Sequence, residues 1–329
     1  MPDRLHAILT RHETMLGAIV VLVGLVFALW SPQFLNPSNL GDLLESYSVM
    51  AIMAAGLFMV LIGGGIDISF AGIAAVSQYA TALVITQWGG NWLTALALAF
   101  LFGAVLGLLN ALLIHFLEAM SVIVTIATMS FYFSILLYLT KGVSIYDLPD
   151  WFTTSPFKTG PFAWLDFVAF PVLVAALCLL LTWFITKRLA LGRQIYALGG
   201  NFEAAKRMGC NILGLRCFIF GFSGAMSGIA GIIQAHRVQE VVPNALIGRE
   251  LDVLAACVLG GASLLGGIGT VSGIILGIVL LAMLQNGLTL VGVSSYDFGI
   301  VTGLVILASV SATALGAKRR EQTRVRHAV

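Results

Sequence analysis

Apolar runs long enough to cross a bilayer recur along nearly the whole chain, and nothing else constrains its fold so tightly. A membrane-spanning helix needs about 20 consecutive apolar residues. Ten runs approach that length, at 15–30, 47–62, 68–87, 92–116, 121–139, 163–186, 214–235, 251–265, 270–291 and 296–316. Runs of this length read as spanning helices, so the fold expected is an all-α polytopic membrane protein of about ten transmembrane or re-entrant helices. The 1–329 chain then forms a single transmembrane domain. Only 10% of its residues are charged, against roughly 25% in a soluble domain. Some runs are short, and two pairs, the second with the third and the eighth with the ninth, can either cross or dip. Each pair starts and finishes on the same side, so the orientation of the rest is the same in both cases.

Basic residues decide that orientation. With the N-terminus inside, 13 of the 17 Lys and Arg residues fall inside, leaving Lys141, Lys158, Arg237 and Arg249 outside. Acidic residues such as Asp42, Glu45, Asp147, Asp150 and Glu240 gather outside instead. The positive-inside rule therefore predicts that both termini are cytoplasmic. The basic tail 317–329 reads as a topology anchor and not as a nucleic-acid patch. Arg4 and Arg11 precede the first run, but Trp30-Ser31-Pro32 follows it where a signal peptide would have small residues, so an uncleaved first helix is expected. In the outside loop 141–162 and just beyond it, Trp151, Phe152, Phe157, Phe162 and Trp164 suit an interfacial belt.

Polar groups inside the runs are the functional suspects, since a charge at a helix centre costs about 2.5–3.5 kcal/mol even on the lenient insertion scale. Asp67 follows Gly63-Gly64-Gly65, where three glycines should break the helix, and Asp67 and Ser69 can cap the next one. Asp252 opens the eighth run, and two glycine pairs surround Ser263. Gln78, Asn110, Gln234, Gln285 and Asn286 add neutral donors and acceptors. From these, Asp67, Ser69, Gln78, Asn110, Asp252, Ser263 and Asn286 are candidates for a polar solute path, with interhelical hydrogen bonds the plainer role for any one of them. The scarcity of cations inside the runs argues against an anionic solute. Gly103/Gly107, Gly224/Gly228 and Gly273/Gly277 have the spacing of close helix contacts. The fourth and ninth runs also resemble each other around Asn110 and Asn286, which suggests an inverted repeat of five spans.

Chemistry within the chain finds little support. No G-x-x-x-x-G-K-[ST] loop occurs, the histidines lack acid and nucleophile neighbours, and the four cysteines lack metal-ligand spacing. The reading is of a transport subunit with no catalytic site, no metal and no bound cofactor.

One interior segment, 187–213, is polar and carries Lys187, Arg188, Arg193, Lys206 and Arg207. Within this cytoplasmic loop, Asn201 suits an N-cap, Glu203 a helix start and Gly209 the C′ position. Between them lies a short helix of about two turns with an Ala204-Ala205 face, suited to a groove on a soluble partner.

Longer motifs carry a resemblance. They are Gly63-Gly64-Gly65-Ile66-Asp67-Ile68-Ser69, Leu191-Gly192-Arg193-Gln194-Ile195-Tyr196-Ala197-Leu198-Gly199-Gly200-Asn201, Glu250-Leu251-Asp252-Val253-Leu254-Ala255-Ala256, and Asn286-Gly287-Leu288. Over nearly its whole length the chain resembles the ribose/xylose/autoinducer-type sugar permeases of ABC importers. One departure is Ala71-Gly72, where that family usually has Gly then Ser. The resemblance implies a bacterial inner-membrane permease subunit, paired with a second copy or a paralogue. It also implies a cytoplasmic ATPase that holds ATP and Mg, and a periplasmic or lipid-anchored solute-binding protein. Gly199, Gly200, Asn201, Glu203, Ala204, Ala205, Lys206, Arg207 and Gly209 are then the ATPase-coupling residues. Nucleosides or branched-chain amino acids are alternative solutes, and an ion-coupled carrier using Asp67 or Asp252 is an alternative machine.

Overall fold

The computed structural model describes residues 12–156, 169–294, 297–301, 303–304 and 307. The basic tail, most of the tenth run, and Phe157, Phe162 and Trp164 lie outside the described residues. Among those described, eight helices are long and apolar enough to cross a membrane. They are α1 (His12–Trp30), α2 (Pro37–Ile62), α3 (Phe70–Trp88), α4 (Trp92–Phe116), α5 (Ser121–Thr140), α7 (Phe170–Arg188), α10 (Ile212–Val238) and α12 (Val271–Leu290). Four shorter helices intervene: α6 (Asp150–Thr153), α8 (Ala190–Gly200), α9 (Phe202–Arg207) and α11 (Glu250–Leu259). The chain is a multi-pass all-α membrane protein.

Position in the bundle follows from the spread of apolar residues around each helix. From Ser48 to Ile62 every residue of α2 is buried, as expected of a helix that is apolar all round. α1 is peripheral, with most of its large side chains exposed. α10 packs along α4, α2 and α3. Its contact with α4 is backbone on backbone, because a methyl on Gly228 would lie 1.9 Å from the Ala99 carbonyl oxygen. Gly273 and Gly277 of α12 lie about as close to the carbonyls of Gly260, just past α11, and of Ala256 within α11. The small-residue pairs thus mark close contacts, as their spacing implies.

Helix length separates the two doubtful pairs. At 1.5 Å per residue α2 and α3 measure about 39 and 28 Å, enough to cross, while α11 measures only about 15 Å. The eighth run is therefore a half-helix followed by a glycine-rich loop. In a five-span repeat α11 would correspond to the full-length α3, so the two halves differ there. The aromatic belt also needs correction. Phe152 is fully buried, stacked 4.9 Å from Trp92, and its carbonyl lies 2.6 Å from His236 Nδ1. Trp92 also meets Phe170 and His236 at ring distances of 4.4 and 4.8 Å. These rings close the bundle end internally.

Candidate functional site

Segment 187–213 contains more helix than its glycines suggest. The 190–200 stretch is not loop but a helix, α8, whose inward side is Gly192, Ile195 and Leu198. Asn201 ends α8 and caps α9: its N–H donates to the Ala197 carbonyl at 3.0 Å, and its side chain accepts from Ala204 N at 2.9 Å. At the other end, Gly209 N–H donates to Lys206 O and Cys210 N–H to Ala205 O, with Gly209 at φ +79°. That pair of bonds is a Schellman motif, so both helix ends have the form their residues imply. Glu203 sits in the first turn and Lys206 and Arg207 in the last, the arrangement the helix dipole favours. The Ala-Ala face is corrected in part. Ala205 is fully buried against its own chain, and Ala204 is half-buried. The surface turned outward is Phe202, Glu203, Lys206, Arg207 and Met208. Phe202, with Arg216 5.6 Å from its ring centre, and Met208 add apolar area that composition did not single out.

This segment rests on two broken stretches of backbone. The first is Gly63–Ser69, where α2 stops and α3 begins. Its freed amides are satisfied by α5: Ile66 N–H donates to Ser121 Oγ at 2.9 Å and Ile68 N–H to Thr125 Oγ1 at 3.1 Å, as irregular backbone in a membrane requires. The second runs from Gly260 to Thr270, between α11 and α12, with positive φ at Gly261, Gly266, Gly267 and Gly269. The two stretches meet where Gly267 N–H donates to the Ile62 carbonyl at 2.9 Å.

Three of the polar candidates come together behind the first break. Asp67 is fully buried. Its Oδ1 accepts from Ser69 N at 2.9 Å and Ser69 Oγ at 2.6 Å, and its Oδ2 from Ser223 Oγ at 2.9 Å. Asn110 Nδ2 donates to Ser69 Oγ at 2.7 Å, and Tyr132 OH to Asn110 Oδ1 at 3.1 Å. Ser69 occupies the N-cap position of α3 but makes no side-chain cap bond, because its hydroxyl is committed to this network. Asp67, Ser69 and Asn110 thus tie α3, α4, α5 and α10 together through a satisfied carboxylate.

The remaining candidates are dispersed. Gln78 donates to the Val242 carbonyl at 3.2 Å, and Ser263 Oγ accepts from Leu265 N inside the second loop. Asn286 exchanges two hydrogen bonds with Asn39, at 2.9 and 3.0 Å. Asp252 lies half-buried in the first turn of α11.

Toward the opposite end of the bundle lies a cavity of about 220 Å³, lined by Ser46, Tyr47, Gln234, Arg237, Arg249 and Gln285 among apolar residues of α2 and α11. Arg237 donates to Ser46 Oγ at 2.9 Å, and Tyr47 OH to Gln285 Oε1 at 2.5 Å. A neighbouring recess includes Asp42 and Asn286. Sequence reasoning counted Gln234 and Gln285 as polar but put Arg237 and Arg249 in an outer loop and Ser46 before a span. The 239–249 connection contributes Arg249 and the buried Leu246 to the lining, and nothing in its composition marks that role. Two arginines, Arg237 and Arg249, thus stand at this cavity.

Comparison with known proteins agrees with this architecture. The family described as "Branched-chain amino acid transport system / permease component" matches residues 39–310. The ribose import permease protein RbsC of Escherichia coli (strain K12) is 35% identical over 286 residues, covering 84% of this chain and 85% of that protein. RbsC of Bacillus subtilis (strain 168) is 33% identical over 285 residues, covering 86% and 87%. The autoinducer 2 import system permease protein LsrC of Yersinia enterocolitica is 31% identical over 280 residues, covering 84% and 75%. No solved structure matches. The match and the resemblance read from the motifs coincide, and the chain belongs to this family of transport permease components, a transport subunit and not an enzyme.

Proposed function

We propose that the chain is the membrane subunit of an ABC importer, carrying a sugar or sugar-like solute across a bacterial inner membrane with both termini in the cytoplasm. The observation that carries the reading is α9, a six-residue helix capped at both ends and exposing Phe202, Glu203, Lys206, Arg207 and Met208. A helix so short is marginal alone, and its caps hold it as a rigid protrusion for a groove on a partner. That partner is a cytoplasmic ATPase holding ATP and Mg, since the chain has no Walker loop. Gly199 to Gly209 form the docking segment, with Ala205 and Gly199 supporting it from beneath.

At the other end, hydroxyl, amide and guanidinium groups around the cavity suit a hydroxyl-rich solute delivered by a periplasmic or lipid-anchored binding protein. The exposed apolar flanks of the bundle leave room for a second permease, a copy of this chain or a paralogue. Membership of the permease-component family, and similarity to ribose and autoinducer 2 import permeases, support permease duty. An ion-coupled carrier built on Asp67 is disfavoured by the satisfied, enclosed setting of that carboxylate.

Docking is tested by co-purification. Glu203→Lys and Ala204→Arg should each abolish association with the ATPase while membrane insertion is retained. Wild-type yield of the complex together with full uptake would contradict the proposal.

A further inference from the structure

Between the docking helix and the solute cavity, α8 supplies one directional bond and one contact without slack. Asn201 joins α8 to α9 through caps on both sides, so α9 cannot be displaced without α8. The end of α8 sits on both broken stretches. A methyl on Gly199 would lie 2.1 Å from the Ile62 carbonyl oxygen and 2.7 Å from Gly267 N. A methyl on Gly266 would lie 2.6 Å from Gly199 O and from Gly64 Cα. One turn earlier, Tyr196 OH donates to the Gly269 carbonyl at 2.7 Å. Burial pushes its phenol up to about 12, so it remains a neutral donor throughout the physiological range.

We propose that Tyr196 and the Gly199 contact deliver movement of the docking helix to the Gly63–Ser69 and Gly260–Thr270 breaks, which makes Tyr196 a positioning residue for transport. This rests on the docking reading of α9. The two stretches that receive the movement end the helices that line the cavity: Ile62 closes α2, which carries Ser46, Tyr47, Met50 and Met53, and Gly260 closes α11, which carries Val253. Backbone packed on backbone has little room to absorb displacement, because packed interiors are barely compressible. A push at α9 is therefore passed to α2 and α11 together, which changes the cavity from two sides. The Tyr196 bond lets α8 pull the second loop as well as push it, so the return stroke follows the same route.

Reconstituted transporter, with its ATPase and binding protein, tests the idea through uptake per ATP hydrolysed. Tyr196→Phe should leave ATPase co-purification, melting temperature and basal hydrolysis at wild-type values and lower uptake per ATP by about fivefold or more, the lower edge of ordinary coupling energies. Tyr79→Phe removes a similar hydroxyl-to-carbonyl bond, to Val143 at 3.0 Å, away from this route, and should keep wild-type coupling. Wild-type uptake per ATP in Tyr196→Phe overturns the proposal, as does an equal loss in Tyr79→Phe. Loss of ATPase co-purification in Tyr196→Phe also overturns it, since the residue would then act in docking. Failure of the docking reading is separate, and shows as undiminished co-purification in Glu203→Lys.

Discussion

Asp67 shows what a single residue contributes here. A carboxylate with no exposure among helices persists because three donors from Ser69 and Ser223 meet its two oxygens. Asp67→Asn keeps the shape but turns a charged acceptor into an amide that faces hydroxyl and amide donors. The expected loss is about 1.5–3 kcal/mol of stability, the worth of a hydrogen bond to a charged group. Thermal unfolding in detergent measures it. An unchanged melting temperature with transport lost would instead put Asp67 on the solute path. The break before Asp67 was legible, because three consecutive glycines cannot hold a helix. Its partners were not, because Ser121, Thr125 and Ser223 look in sequence like any hydroxyl within a span. Burial of Ala205 was hidden for a related reason: alanine fits a helix surface and a tight contact equally well.

Elements were legible where their ends carry chemistry. Asn201, Glu203 and Gly209 marked α9, and both caps are made as their types imply. The preceding α8 was missed although Leu191, Ile195 and Leu198 repeat at helical spacing, because Gly192, Gly199 and Gly200 drew the reading toward a loop. Those glycines serve contact: Gly192 lies against the Ile185 and Thr186 carbonyls, as Gly199 does against Ile62. The half-helix α11 was foreshadowed by the short run and the glycine pairs that follow it. Asn201→Ala removes the cap that α9 uses and the joint with α8. A cost of about 1 kcal/mol is expected, enough to loosen a six-residue helix but not the bundle. ATPase co-purification should therefore fall several-fold at an unchanged melting temperature, while Asn201→Asp should keep both near wild type. Equal co-purification in the Ala and Asp variants would mean that the cap does not shape the docking surface.

For the whole molecule, the length and number of the apolar runs were enough to predict a polytopic helical membrane protein, and the motifs were enough to identify the family. The cavity was not legible, because it is assembled from α2, α10, α11 and α12 and from a loop whose polar residues read as solvent-facing. Residues up to about 240 positions apart in sequence meet there, and only packing brings them together. The resulting account has two working ends, a docking helix and a polar cavity, joined by the helices that terminate at the glycine-rich breaks. Uptake into proteoliposomes tests it most directly. With the ATPase, the binding protein and ATP present, solute should accumulate and continue to do so when an uncoupler dissipates the ion gradients, and it should stop when ATP is withheld. Accumulation by this chain without an ATPase, abolished by the uncoupler, would contradict the account.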